Sequence, residues 1–376
     1  MAGDCGERRA RPCPPKSRPH SSPSDYSMAS VNAPFQFSGV GSRVPDDIWN
    51  LVFRLLHSSR TSVTNVSLCC RRFHALTSPL LFQRLHFHHS RLENTRALCR
   101  LVRARSAIRV YVQEVDIDWI AWSDHRMVAG APPRCIRQLL YGLPNLEMLS
   151  LSGAVISSEG AMLLATRPNI RNLSISSSCR LSPDLHRDLP GTKNSGLESL
   201  TIGKMEYDNP EDLVAWLHLL LGPDLRNLHV LGGLGTERYF IGCLLQELVP
   251  GSLRRLHIEH VDGSLLYEII AQQPRLEDLH FYCSEPLPAI DSRLPGSAID
   301  TVRFWMQHRT DKSKQLTYEE LMPMYHNAIK LARRPLRSLE LRHIDWDQCV
   351  FDVLPSLFPS LERFAVFFLD RPDMVR

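Results

Sequence analysis

The sequence predicts an α/β fold in which a short helical segment precedes a solenoid of repeats, each with one short parallel strand. Near residue 48, apolar side chains recur at i, i+3, i+4 and i+7, the spacing of one helix face. Further along the chain, the pattern L-x-x-L-x-L returns at nearly regular intervals. With 376 residues and 43% hydrophobic content, the chain has ample apolar material for a core.

Residues 1–43 are rich in Pro, Ser and Arg and have no sustained apolar period. Such a composition cannot bury enough apolar surface to offset the entropy of ordering. We therefore expect a disordered, solvated tail, with an SH3-type ligand or a nuclear-localisation segment at RRARPCPPKSRP as the alternative.

Residues 44–90 are expected to form a small helical bundle. Pro45 suits the first turn of a helix, and Asp46 and Asp47 suit the positive end of its dipole. A stripe with helical spacing follows at Ile48, Leu51, Val52 and Leu55. A second stripe, expected to break at Ser78-Pro79, contains Val66, Cys69, Cys70 and Phe73. Because so short a segment cannot bury its own apolar side chains, it should pack against a partner or against the next domain.

A basic amphipathic helix is expected between residues 91 and 109. Arg96, Arg100 and Arg103 share one face of this helix, and Leu98, Leu101 and Val102 share another. We interpret the arginines as a solvated face, with contact to nucleic acid or to a phosphopeptide as the alternative.

Residues 91–376 are expected to form about nine or ten repeats. From Leu146 onward, copies of L-x-x-L-x-L, with Ile, Val or Phe substituting, start 23 to 28 residues apart, except for one interval of 37. Return helices are predicted at 158–165, 211–221, 239–248, 264–272 and 318–333. The copies begin at Leu146, Ile170, Leu197, Leu225, Leu253, Leu276, Ile299, Leu336 and Leu361, with an earlier copy at Val112.

The first segment resembles an F-box, whose pattern is Leu-Pro, an acidic residue with Ile, a Leu pair, and Val-Cys-Arg-Arg-Trp/Phe. The matching residues are Val44-Pro45, Ile48, Leu55-Leu56 and Cys69-Cys70-Arg71-Arg72-Phe73, with Val44 in place of Leu and Cys69 in place of Val. The array resembles leucine-rich repeats without their regular Asn after the strand. Together the two halves resemble the F-box/leucine-rich-repeat proteins that are abundant in fungi.

This resemblance implies a substrate-receptor subunit of an SCF ubiquitin ligase. Such a subunit performs no chemistry itself; it docks a Skp-family adaptor, joins the cullin complex and recruits a protein target. The adaptor-binding residues that the resemblance implies are Val44, Pro45, Ile48, Leu51, Val52 and Leu55. The alternative is a protein-binding scaffold without a ubiquitin role, in which the helical bundle caps the solenoid. In either case we expect a monomer apart from the complex.

Target binding is predicted at the C-terminal half of the array. Side chains alternate along each strand, so the residues between the apolar positions share one face. This face has small hydroxyls in the first repeats and residues typical of binding hot spots later, at His257, Tyr282, Arg303, Trp305 and Arg342. Alternatively, Trp305 and Phe367 cover a neighbouring loop or the end of the array.

His229, His257 and His280 occupy equivalent positions on three successive predicted strands. Two of them could reach one metal ion, with Glu259 or Asp278 as a further ligand. An ordinary polar ladder is favoured, so no metal or other cofactor is assigned.

Composition argues against several other functions. The net charge of +4 gives no global field for nucleic acid or anionic membranes. No apolar run approaches the roughly 20 residues of a membrane span. The ten cysteines form no CxxC pair, which favours reduced thiols in the cytoplasm or nucleus. The phosphate-binding, hydrolase and zinc-protease motifs are all missing, so we do not expect an enzyme.

Overall fold

The structure is a computed structural model. It describes residues 44–56, 59–123, 126–176, 178–183, 185–189, 191, 193–194, 196–203, 205–232, 238–259, 263–283, 299, 301–306, 337–344 and 360–368. The chain divides into two compact units, Met1–Ile48 and Trp49–Arg376.

The chain is mixed α/β, as expected. Within the described residues the helices are α1 (Asp46–Leu56), α2 (Arg60–Cys69), α3 (Arg71–Phe82), α4 (Leu92–Ala104), α5 (Ser106–Arg109), α6 (Arg134–Tyr141), α7 (Ser158–Thr166), α8 (Leu185–Asp188), α9 (Pro210–Leu220), α10 (Arg238–Glu247) and α11 (Gly263–Gln272). None of them has both the length and the hydropathy needed to cross a bilayer.

One large parallel sheet dominates the second unit. Its strands in the described ranges, in spatial order, are β1 (Arg84–His88), β2 (Glu114–Asp118), β5 (Met148–Ser152), β7 (Asn172–Ile175), β9 (Ser199–Ile202), β11 (Asn227–Val230), β12 (Arg255–Ile258), β13 (Asp278–Cys283), β14 (Thr301–Met306), β15 (Ser338–Ile344) and β16 (Arg363–Phe368). Spatial order follows chain order, as in an array of stacked repeats.

The apolar positions of the repeat pattern form the core. In β5, Leu149 and Leu151 are buried, while the residues between and beside them are half-buried. Leu149 aligns with Leu173 of β7, and Leu173 aligns with Leu200 of β9, so equivalent leucines stack from strand to strand. Alternation with a period of two therefore places one side of every strand in a continuous core.

Two smaller sheets accompany the main one. The strands β6 (Val155–Ile156), β8 (Cys179–Leu181) and β10 (Met205–Glu206) pair in parallel in the order β10-β8-β6. The strands β3 (Ile120–Ser123) and β4 (Arg126–Ala129) form an antiparallel pair. These short strands were not predicted.

The return helices α7, α9, α10 and α11 lie within two residues of their predicted bounds. The amphipathic α4 also agrees with expectation, since Val102 is fully buried and Arg96, Arg100 and Arg103 are exposed. Helix 318–333 was predicted in residues outside the described ranges. Helices α6 and α8 were not predicted.

The predicted helix break at Ser78-Pro79 is wrong. The helices separate at Cys70, whose backbone is extended and whose Sγ accepts a hydrogen bond from Phe73 N. Pro79 lies in the C-terminal part of α3. The hydroxyls of Thr77 and Ser78 donate to the carbonyls of Phe73 and His74 just before it. Because Pro79 has no backbone N–H, α3 lacks one i→i−4 hydrogen bond at this position, yet the helix continues to Phe82.

Candidate interaction surfaces

An apolar stripe on α1 faces solvent. The side chains of Leu51, Val52 and Leu55 are 58%, 36% and 75% exposed. A surface helix of a globular protein normally turns its apolar stripe towards the core. In the first unit, Ile48 is 50% exposed, Pro45 is exposed and Val44 is half-buried. Large exposed aliphatic side chains in one row are characteristic of a protein-binding surface.

The opposite side of α1 is anchored by aromatic packing. Phe53 is 2% exposed, and its ring lies 5.3 Å from that of Phe73 in α3. The ring of Trp49 lies 4.8 Å from the same Phe73 ring. Phe73 therefore packs inside the helical bundle. This packing fixes the rotation of α1 and thereby directs Leu51 and Leu55 outwards.

Leu68 on α2 was missed as a candidate and is 78% exposed. Val66, Cys69 and Phe73 supplied the predicted apolar stripe, and Leu68 falls outside it. The available signal was a leucine outside the predicted apolar stripe of a short helix.

The predicted target-binding residues occupy two neighbouring rows of the main sheet. In one row, Tyr282, Trp305 and Arg342 are in register on β13, β14 and β15. In the next, His257 on β12 aligns with His280, which aligns with Arg303 on β14. The strand register thus brings the five predicted positions to one region of one sheet.

The other end of the same face has charged residues that pair with each other. Arg84 Nε on β1 donates to Asp116 Oδ2 on β2 at 2.8 Å, and this bond raises the pKa of Arg84. His88 Nε2 lies 3.2 Å from Asp118 Oδ2. Strand β1 was not predicted, although Phe82-x-x-Leu85-x-Phe87 fits the repeat pattern with Phe substituting.

The three predicted ladder histidines stack ring on ring. The ring centroids of His229 and His257 are 3.8 Å apart, and those of His257 and His280 are 3.7 Å apart. Burial lowers the pKa of His229, and the charge of Glu259 partly opposes this shift. The lowered pKa keeps the His229 imidazole neutral at pH 7.

A carboxylate lies beside this stack. Glu259 Oε2 accepts a hydrogen bond from Gly232 N at 2.8 Å, and Glu259 Oε1 is 3.9 Å from His257 Nε2. One possible donor atom each from His229, His257 and Glu259 lie within 4.8 Å of one another. Among the residues that the structure describes, the buried Nε2 of His229 has no hydrogen-bond partner.

An open cleft of about 470 Å³ lies where the helical bundle meets the first strands. Its lining contains one charged side chain and no acid, histidine or cysteine that could perform acid–base or nucleophilic chemistry. The lining residues are Arg54, Pro79, Leu80, Gln83, Val110, Tyr111 and Gln113.

No protein-family model and no curated protein matches the chain. Among solved structures, the chain is similar to a chain of the Rad7 and Elc1 complex in yeast, at 13% sequence identity and a TM-score of 0.32. The alignment covers 90% of this chain and 96% of the other. A likeness at this level is no basis for assigning a function.

Proposed function

We propose that this protein is a substrate-receptor subunit of an SCF-type ubiquitin ligase, acting in the cytoplasm or nucleus. In this role the N-terminal helices dock a Skp-family adaptor, which joins the chain to the cullin complex. The main sheet recruits a protein target and raises its effective concentration near the ubiquitin-conjugating partner. The chain itself supplies binding surfaces and no catalytic group.

The exposed apolar stripe on α1 is the observation that carries this proposal. Leu51 and Leu55 are positions at which the resemblance to F-box sequences implies adaptor contact, and both are more than half exposed. Burying a leucine side chain in an interface contributes about 1.5–3 kcal/mol. Docking of an apolar partner groove onto α1 would therefore remove this hydrophobic surface from water and stabilise the complex.

The composition of the sheet face supports target recruitment. Strands β5 and β7 carry small hydroxyl residues, such as Ser150 and Ser174, while β12 to β15 carry His, Tyr, Arg and Trp. Aromatic residues and arginine are the types most enriched at binding hot spots. We place the target-binding region at His257, Tyr282, Arg303, Trp305 and Arg342.

One observation favours the alternative, a scaffold in which the helices only cap the sheet. The carbonyl of Gln83, just after α3, accepts hydrogen bonds from Gln113 N at 2.9 Å and Glu114 N at 3.0 Å. The side chain of Phe82 also packs against the main core. These contacts are those of a solenoid cap, and a cap needs no adaptor.

Adaptor binding distinguishes the two functions. The test is reconstitution of the full chain with the Skp-family adaptor of its host, followed by measurement of Kd for the wild type and for Leu51→Ala/Leu55→Ala. Because both substitutions remove side chains that are already exposed, folding should be unaffected. We expect the double variant to weaken binding by roughly 30-fold to several hundred-fold, the equivalent of about 2–4 kcal/mol.

The matched control is Tyr239→Ala, which removes a 46% exposed side chain from α10. This variant should bind the adaptor like the wild type. Equal affinity of the wild type and the α1 double variant would exclude α1 as the docking surface. Stable, folded protein without any adaptor binding would favour the cap.

A further inference from the structure

We propose that the imidazoles of His229 and His257 and the carboxylate of Glu259 form a Zn²⁺ site across strands β11 and β12. This site is independent of adaptor binding. Imidazole nitrogen and carboxylate oxygen are common zinc ligands, and a set of three protein ligands leaves one coordination position open.

The distances fit this assignment. Zinc binds nitrogen and oxygen at about 2.0–2.2 Å, so two donors on one tetrahedral ion lie about 3.4 Å apart. His257 Nε2 and Glu259 Oε1 are 3.9 Å apart, and the three candidate donor atoms lie within 4.8 Å of one another. Turning the two imidazoles about their side-chain torsions would bring these atoms into coordination distance.

The strand register explains why these residues meet. His229 and His257 are register partners on adjacent parallel strands, and Glu259 follows β12 on the same side as His257, two residues later. The His257 and Glu259 side chains are 22% and 25% exposed. An ion can therefore reach the site from solvent without opening the core.

Two further observations point to a ligand here. Among the described residues, the Nε2 atom of His229 is buried and has no hydrogen-bond partner, an arrangement that is costly unless another group satisfies the nitrogen. The other carboxylate oxygen, Glu259 Oε2, accepts a hydrogen bond from Gly232 N at 2.8 Å. A backbone hydrogen bond of this kind orients a carboxylate for metal binding.

His280 is excluded as a third imidazole on the same ion. The His280 ring stacks on the face of His257 that is turned away from His229. The centroids of His257 and His280 are 3.7 Å apart. Its separation from His229 therefore exceeds the roughly 4 Å that two donors on one zinc ion can span. The pair next to Glu259 is the one that can close around an ion.

Binding requires a change in the ring stack. The planes of His229 and His257 are within 16° of parallel, whereas each nitrogen lone pair lies in the plane of its own ring. The two rings must turn towards a common point. We accordingly expect the ring-proton NMR resonances of His229 and His257 to shift when zinc is added.

The test is zinc titration of the metal-free full chain, with any affinity tag removed, in competition with a chromophoric chelator. We expect one tight zinc ion per chain. Glu259→Gln and His257→Asn should each weaken binding by at least about tenfold. Zinc should also raise Tm for the wild type and not for these variants, because the ion binds only the folded site.

His280→Asn is the matched control, since it alters the same ladder without removing a proposed ligand. It should keep zinc affinity within about threefold of the wild type. Glu259→Gln is nearly isosteric, so it should fold even if a histidine variant does not, and circular dichroism of the metal-free protein checks this. Absence of zinc binding, or zinc binding that survives Glu259→Gln, would overturn the proposed site. Loss of binding in His280→Asn equal to that in His257→Asn would also overturn the ligand assignment.

Discussion

Gly153 lies at a turn between β5 and β6 where only glycine fits. Its φ is +59°, in the left-handed region that side chains with a Cβ rarely adopt. A Cβ at this position would lie 2.8 Å from Ile120 Cα and 2.9 Å from Ile120 N. Both the backbone conformation and the close approach of the Ile120 backbone therefore require a residue without a Cβ.

Gly153→Ala should lower the free energy of unfolding by about 2–3 kcal/mol, because left-handed backbone strain is added to a clash with backbone atoms. Denaturant unfolding monitored by circular dichroism measures the change. Gly242→Ala in α10 serves as the control, since a Cβ there meets nothing within 4 Å. It should be neutral or slightly stabilising. Equal stability of the two variants would refute the strain assigned to Gly153.

At the scale of secondary-structure elements, the side chain of Gln273, just after α11, is buried and hydrogen-bonded to the segment before β12. Gln273 is fully buried; its Nε2 donates to Val249 O at 3.0 Å, and its Oε1 accepts from Leu253 N at 3.0 Å. Both backbone groups lie outside helices and strands. The amide thus satisfies Leu253 N and adds a further donor to Val249 O, which also accepts hydrogen bonds from Ser252 N and Ser252 Oγ.

Gln273→Leu keeps most of the side-chain volume and removes both hydrogen bonds. We expect it to lower the free energy of unfolding by about 1–3 kcal/mol, since the buried Leu253 N–H loses its hydrogen-bond partner and Val249 O loses one of its donors. Thermal and denaturant unfolding test this expectation. The same substitution at the exposed Gln246 should change stability by less than about 0.5 kcal/mol. A loss of the same size at both positions would contradict the role of Gln273.

The main-sheet strands could be predicted because apolar alternation sets both their location and their buried side. Leu146, Leu149 and Leu151 illustrate this, since all three are buried as the pattern implies. The break at Cys70 could not be predicted, because nothing in local propensity distinguishes this cysteine from Cys69. Thiol capping of Phe73 N depends on a backbone conformation that only the folded bundle shows.

The sequence allowed us to predict which residues form the candidate surfaces. It did not allow us to predict how their side chains are arranged. Equivalent repeat positions placed His229 and His257 on neighbouring strands, but the ring stacking and the approach of Glu259 depend on side-chain torsions. Helical spacing likewise identified the stripe at Leu51 and Leu55. Whether that stripe is buried or exposed depends on the aromatic packing of Phe53 and Phe73, which turns α1 about its axis.

At the scale of the whole molecule, the proposed function assigns two different surfaces to two different partners. The exposed stripe of the short helix α1 consists of aliphatic side chains, which suits binding in one apolar groove. The strands of the wide parallel sheet contain polar and aromatic residues at register positions, which suits an extended protein target. A subunit that links a target to a ligase requires such a division.

The most direct test of this account is calorimetric titration of the full chain with the purified Skp-family adaptor at several temperatures. We predict a one-to-one complex with a Kd of about 1 μM or tighter and a negative heat-capacity change, because the α1 stripe is buried on binding. No complex at an adaptor concentration of about 100 μM would contradict the account.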